Sequence, residues 1–142
     1  MSNIKLEKEL KDKTILITGG SGSIGSDLVK KLLKYPVKSI RVLDINEYSM
    51  FKLKHSLNNN KIRFLLGSIL DKERLELAVD GVDFIIHTAA LKNIEITEYN
   101  PIETIDVNTN GLINLIKMSM KNKPKRFLNI STDKSVKPTT VY

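Results

Sequence analysis

Residues 18–25 read Thr-Gly-Gly-Ser-Gly-Ser-Ile-Gly, with glycine at 19, 22 and 25. The chemistry such a run does well is to hold an anion on backbone N–H groups. Gly19 permits a tight turn, Gly22 lets the backbone approach a pyrophosphate, and Gly25 lets a helix pack closely on a strand. A helix opening at Ser23 adds unpaired N–H groups and the positive end of its dipole, so Ser21, Ser23 and Ile24 are read into the same site. Asp44 follows 19 residues after Gly25, where a carboxylate accepts hydrogen bonds from the ribose hydroxyls of an adenosine. The bland alternative, a glycine turn that binds nothing, leaves that acid without a purpose. Asp44 also repels a 2′-phosphate, and no arginine follows it in Asp44-Ile45-Asn46-Glu47. NAD is therefore favoured over NADP, although Lys52 or Lys54 on the next helix could reach back.

These groups work only if a sheet positions them. Apolar runs at residues 14–18, 39–43, 62–66, 82–87 and 126–131 are rich in Ile, Leu, Val and Phe, as strands covered on both faces are. Segments of helical spacing lie between them, at 23–35, 48–57, 72–79 and 101–120. Ile24, Leu28, Leu32 and Leu33 mark one buried face, and Ile102, Ile105, Leu112, Ile113 and Ile116 another; Pro36 stops the first helix and Pro101 opens the last. Alternation of strand and helix predicts an α/β, Rossmann-like, doubly wound parallel sheet with right-handed crossovers. The expected strand order is 3-2-1-4-5, with helices on both faces and residues 1–142 forming one domain.

Composition narrows the classes further. The chain has 142 residues, no cysteine and two histidines, His55 and His87, so a disulfide framework and a cysteine-based zinc site are excluded and no metal is expected. The formal net charge is +7. Its lysines are spread over helices at 30–38, 52–54 and 117–126 without interleaved aromatics, which reads as solvated helix faces, not a nucleic-acid patch. Residues 1–13 are charged and polar and no apolar run reaches membrane-spanning length, so a cytoplasmic protein with no membrane partner is expected.

The spacing Thr-Gly-x-x-Gly-x-x-Gly resembles the extended short-chain dehydrogenase/reductases that act on nucleotide sugars. Gly67-Ser68-Ile69-Leu70-Asp71 is similar to their third-strand Gly-Asp-x-x-Asp segment, with Ser68 replacing the first aspartate. His87-Thr88-Ala89-Ala90 is similar to their fourth-strand His-x-Ala-Ala motif; on the residues alone, His87 reads as a satisfied strand-end histidine. The likeness narrows at Ala89-Ala90-Leu91-Lys92-Asn93 and at Ser131-Thr132-Asp133-Lys134-Ser135-Val136-Lys137-Pro138. These resemble the Ala-Ala-Leu-Lys-His and Ser-Thr-Asp-Lys-x-x-x-Pro signatures of UDP-N-acetylglucosamine 4,6-dehydratases and related polysaccharide-biosynthesis proteins. Glu98-Tyr99-Asn100-Pro101 and the Asn108 region also have counterparts there, whereas Asn93 departs from the family's histidine.

That resemblance implies NAD as cofactor, with NADP possible, and a UDP-N-acetylglucosamine-like nucleotide sugar as substrate. It implies that Ser68, Ile69, Thr88, Ala89, Ala90, Lys92, Asn108 and Ser131 line the cofactor. Tyr142 would take the C4 hydroxyl proton, Lys134 the C5 proton, and Asp133 would protonate the departing C6 hydroxyl, with Thr132 holding the reacting hydroxyl. The lysine four residues beyond the tyrosine falls past Tyr142, so the sequence is read as part of a longer enzyme, inactive alone and a homo-oligomer when full length. A nucleotide-sugar 4-epimerase and a non-catalytic NAD-binding module are the alternatives; the Asp133-Lys134 pair speaks for elimination.

Overall fold

The structure, a computed structural model, describes residues 3–132. Its strands are β1 (Thr14–Thr18), β2 (Ser39–Asp44), β3 (Ile62–Leu66), β4 (Phe84–His87) and β5 (Arg126–Asn129). Its helices are α1 (Asn3–Leu10), α2 (Ser23–Leu32), α3 (Glu47–Leu57), α4 (Lys72–Val79), α5 (Ile94–Tyr99), α6 (Pro101–Ile105) and α7 (Leu112–Asn122). A π-helical turn, Asp106–Gly111, joins α6 to α7.

All five strands are parallel and ordered β3-β2-β1-β4-β5, as the alternating pattern predicts. The register sets Thr18 opposite Leu43 and His87, Asp44 opposite Leu66, and His87 opposite Asn129. The strand ends that carry the motifs therefore share one carboxyl edge. In β1, side chains alternate between faces, and all five residues are buried because both faces are covered. Ile15 and Ile17 join Leu10, Val29, Ile40, Val42 and Leu53 on one face. Leu16 joins Leu43, Leu75, Ile85 and Leu115 on the other. Truncating a fully buried leucine such as Leu16 to alanine costs about 2–5 kcal/mol, so β1 anchors the loop after it.

Several elements differ from the sequence expectation. α1 forms in the charged amino-terminal stretch because Leu10 is buried and Leu6 packs on the core beside β1. α5 is a further short helix. Ile24 is half exposed, not part of the buried face. The stripe expected over residues 101–120 is also displaced: Ile102, Ile105, Ile113 and Ile116 are exposed, while Thr104, Gly111, Leu115, Met118 and Ser119 are buried. The exposed isoleucines lie on both sides of the π turn and the buried positions keep helical spacing through it, so the whole segment buries a different face from the isoleucine stripe. Gly111, on that buried face, is pressed onto Ile69, where a Cβ would stand 2.5 Å from Cδ1 of Ile69. Among the described residues no helix is long and apolar enough to cross a membrane.

Candidate functional site

The loop after β1 is built by two of its three spaced glycines. Gly19 has φ +65°, the left-handed region that favours glycine, and a Cβ there would lie 2.7 Å from Cα of Ala89. Its N–H donates to the Leu43 carbonyl at 2.8 Å, which turns the chain back over β2. A Cβ on Gly25 would strike the Gly19 carbonyl, so glycine is what lets α2 start this close to β1. Gly22 is different. Its backbone (φ −71°, ψ 178°) suits any residue, and a Cβ would meet only the Gly19 oxygen, at 3.3 Å. A side chain there would need the Gly19 carbonyl to give by a few tenths of an ångström, a milder demand than at Gly19 or Gly25.

Two observations show what this loop suits. No side chain caps the start of α2, whose N-cap is Gly22. The Oγ of Ser21 is the one buried side-chain polar atom without a hydrogen-bond partner among the described residues. An unpaired buried hydroxyl costs about 1–3 kcal/mol, which an acceptor arriving from outside would recover. A phosphate oxygen at this helix start fits both features.

Asp44 stands beside the loop at the end of β2. Its Oδ2 accepts the Ser21 N–H at 3.0 Å and its Oδ1 accepts the Asn46 N–H at 3.0 Å. The carboxylate thus ties the glycine loop to β2 while each oxygen keeps a lone pair for a ribose hydroxyl. Of the two lysines considered for a 2′-phosphate, Lys52 holds its Nζ 4.2 Å above the Tyr48 ring.

On the other side, Thr88 donates its hydroxyl to the Thr18 carbonyl at 2.8 Å and its N–H to the same oxygen at 3.0 Å, binding the end of β4 to the loop. Thr18 Oγ1 lies 2.6 Å from Nδ1 of His87, and both residues are buried. Burial pushes the imidazole down to about 4, so it stays neutral near pH 7. His87 is the satisfied strand-end histidine of the simpler reading. Ile130 N–H donates to the His87 carbonyl at 3.0 Å, so the exposed Ser131 and Thr132 leave the sheet at the same edge as Thr88.

Residues 15–142 match the polysaccharide biosynthesis protein family. The chain belongs to that family. It is 52% identical over 131 residues to the uncharacterized membrane protein MJ1061 of Methanocaldococcus jannaschii, covering 92% of this chain and 39% of that protein. It is 40% identical to the inverting UDP-N-acetylglucosamine 4,6-dehydratase of Campylobacter jejuni, with the same coverage. A UDP-glucose 4-epimerase of Rickettsia prowazekii is 35% identical, over 89% of this chain and 38% of the epimerase. Among solved structures, Pen from Bacillus thuringiensis superposes with a TM-score of 0.91 at 35% identity, covering 94% of this chain and 43% of Pen. DesIV of Streptomyces venezuelae, a dTDP-glucose 4,6-dehydratase solved with NAD, superposes at 0.74 with 28% identity over 80% of this chain and 38% of DesIV. The chain thus spans about two fifths of the length of the curated relatives it matches.

Within this family member, the residues expected to line a cofactor fall into two groups. Gly19, Ser21, Gly22, Ser23, Ile24, Gly25, Asp44, Thr88, Ala89 and Ala90 gather at the middle of the carboxyl edge, around the loop after β1, and Lys92 is exposed on the segment after β4. Ser68, Ile69 and Asn108 also make contacts within the protein. Ser68 Oγ accepts the Leu70 N–H at 3.1 Å in a local turn, and Ile69 is buried in the core. Asn108 takes the Leu91 N–H at 2.8 Å and donates to the Leu91 carbonyl at 2.9 Å, holding the segment after β4 as a neighbouring strand would. That clamp, delivered by the π turn, is not legible from spacing. Asn93, the departure from the family's histidine, caps α5 by accepting the Ile96 N–H at 3.3 Å. Asp133, Lys134 and Tyr142 lie outside the described residues.

Proposed function

We propose that this chain is the NAD(P)-binding part of a nucleotide-sugar 4,6-dehydratase acting on a UDP-N-acetylglucosamine-like substrate in surface polysaccharide synthesis. The observation that carries the dinucleotide reading is the start of α2, uncapped at Gly22 beside the unpaired Oγ of Ser21, with the Asp44 carboxylate one strand away. Those groups would hold the pyrophosphate and the adenosine ribose. The Campylobacter dehydratase and the NAD-containing DesIV support that assignment.

When bound, the dinucleotide supplies reversible hydride transfer, so that oxidation at C4 and reduction at C6 balance. The remaining steps belong to the protein. Tyr142 takes the proton of the C4 hydroxyl, Thr132 holds that hydroxyl, Lys134 removes the proton at C5, and Asp133 protonates the C6 oxygen as water leaves. A homo-oligomer in the full-length enzyme is supported by the exposed apolar residues of α5, α6 and α7, among them Tyr99, Ile102, Ile105, Ile113, Ile116 and Met120.

The second reading, a 4-epimerase, is favoured by the Rickettsia relative. Mass spectrometry of the full-length enzyme incubated with UDP-N-acetylglucosamine separates the two. A product lighter by one water, lost in an Asp133→Asn variant, is expected. An isomer of unchanged mass would move the assignment to epimerisation.

A further inference from the structure

Arg74, in the first turn of α4, is held at the adenosine end of the carboxyl edge. Its N–H donates to Oδ1 of Asp71 at 3.0 Å, and its Nε donates to the Leu66 carbonyl at 2.9 Å. The side chain lies over Gly67, where a Cβ would stand 2.5 Å from Cγ of Arg74 and 3.2 Å from its Nε. Leu66 is the register partner of Asp44, and Gly67 N–H donates to the Asp44 carbonyl at 2.9 Å. The guanidinium is therefore fixed at the end of β3, one strand over from the carboxylate that faces the ribose.

The other half-buried arginine provides the contrast. Arg41 spends its Nη1 on the carbonyls of Leu77, Ala78 and Asp80, closing the end of α4. Arg74 commits only Nε, and among the described residues no carboxylate lies within ion-pair distance of it. Ser68, where the resembling family carries aspartate, adds a hydroxyl and no charge. The Asp44 carboxylate is itself held by two backbone N–H groups, which offset part of its repulsion toward a second anion. A fixed, unpaired guanidinium fork beside a ribose site has the geometry that binds a phosphate through two N–H groups at once.

We propose that the Arg74 guanidinium takes the 2′-phosphate of NADP, so that the site accepts both dinucleotides and Arg74 against Asp44 sets their ratio. This rests on the reading that a dinucleotide binds at this edge. The test is calorimetric titration of NAD and NADP into the unmodified chain and into Arg74→Leu, with a thermal melt to confirm folding. Arg74→Leu is expected to weaken NADP by about tenfold to a hundredfold and to leave NAD within about twofold. NADP affinity for the unmodified chain is expected to fall with added salt more steeply than NAD affinity. Equal weakening of both dinucleotides, or no change in their ratio, would reduce Arg74 to a pin for the β3–α4 turn and overturn the proposal. Should Arg74→Leu fail to fold, Arg74→Lys keeps the charge and loses the fork; an unchanged NADP-to-NAD ratio there would overturn it equally. Failure of the unmodified chain to bind either dinucleotide would instead remove the underlying site.

Discussion

Four helices open at the carboxyl edge of the sheet, each after one of the strands β1 to β4, and they do not open alike. Asn46 caps α3 by accepting from Ser49 N–H at 2.9 Å, Asp71 caps α4 and Asn93 caps α5. The start of α2, at Gly22, has no side-chain cap. A cap of this kind is worth about 1 kcal/mol to a helix, and glycine forgoes only a few tenths of it. The protein closes three of these ends with its own oxygens and leaves the fourth open at a point where it also strands a buried hydroxyl. An open helix end next to an unsatisfied donor is an arrangement that a bound anion completes.

The largest effect expected from breaking that contrast comes from giving α2 the cap its neighbours have. Gly22→Asp should leave the chain folded with a melting temperature within a few degrees, because the carboxylate satisfies the open N–H groups while its Cβ presses on the Gly19 carbonyl. It should weaken NAD by about a thousandfold or more, since like charges brought together cost several kcal/mol. Calorimetry and a thermal melt on the same sample read both halves.

The platform under the open end makes the next prediction. The folded chain holds His87 neutral down to about pH 4, whereas an unfolded histidine takes its proton near 6.5. Between those values the unfolded state binds the extra proton, so stability falls as pH drops from 6.5 to 4, by on the order of 3 kcal/mol. Urea midpoints across that range should show the decline, and His87→Asn should flatten it.

A smaller loss is expected from Asn108→Ala, which leaves the N–H and carbonyl of Leu91 unpaired. It should cost about 2 kcal/mol of unfolding free energy and speed hydrogen exchange at the Leu91 amide. The smallest is Asn93→Ala, removing the cap of α5 at a cost of about 1 kcal/mol while NAD affinity stays within about twofold. A loss of NAD affinity there as large as in Gly22→Asp would show that the capped and uncapped ends are not functionally distinct.

Features legible in the sequence and features hidden from it divide along local and non-local physics. The glycine run and Asp44 are readable because turn geometry, close helix packing and the span to the second strand end are set within about 25 residues. Strand order follows from alternation of strand and helix. Helical spacing finds the period over residues 101–120 but not which side is buried, because isoleucines line one stripe and Thr104, Gly111, Leu115 and Met118 the other, on both sides of the π turn. Ile113 and Ile116 face outward with Ile102 and Ile105, and Leu115 and Met118 are buried instead. That the Ile69 side chain packs against Gly111 is hidden from the sequence, because the two are distant and no spacing rule connects them. Ser21 belongs to the loop on either view, but that its hydroxyl lacks a partner is visible only in three dimensions.

The central claim is that the open start of α2 is the anion site. Amide chemical shifts of the chain titrated with NAD test it residue by residue. The account predicts the largest shifts at Ser21, Gly22, Ser23 and Ile24, a smaller set at Asn46 beside Asp44, and little at the capped starts of α4 and α5. Binding with unchanged amides at residues 21–24, or with the largest changes at a capped helix start, would contradict it.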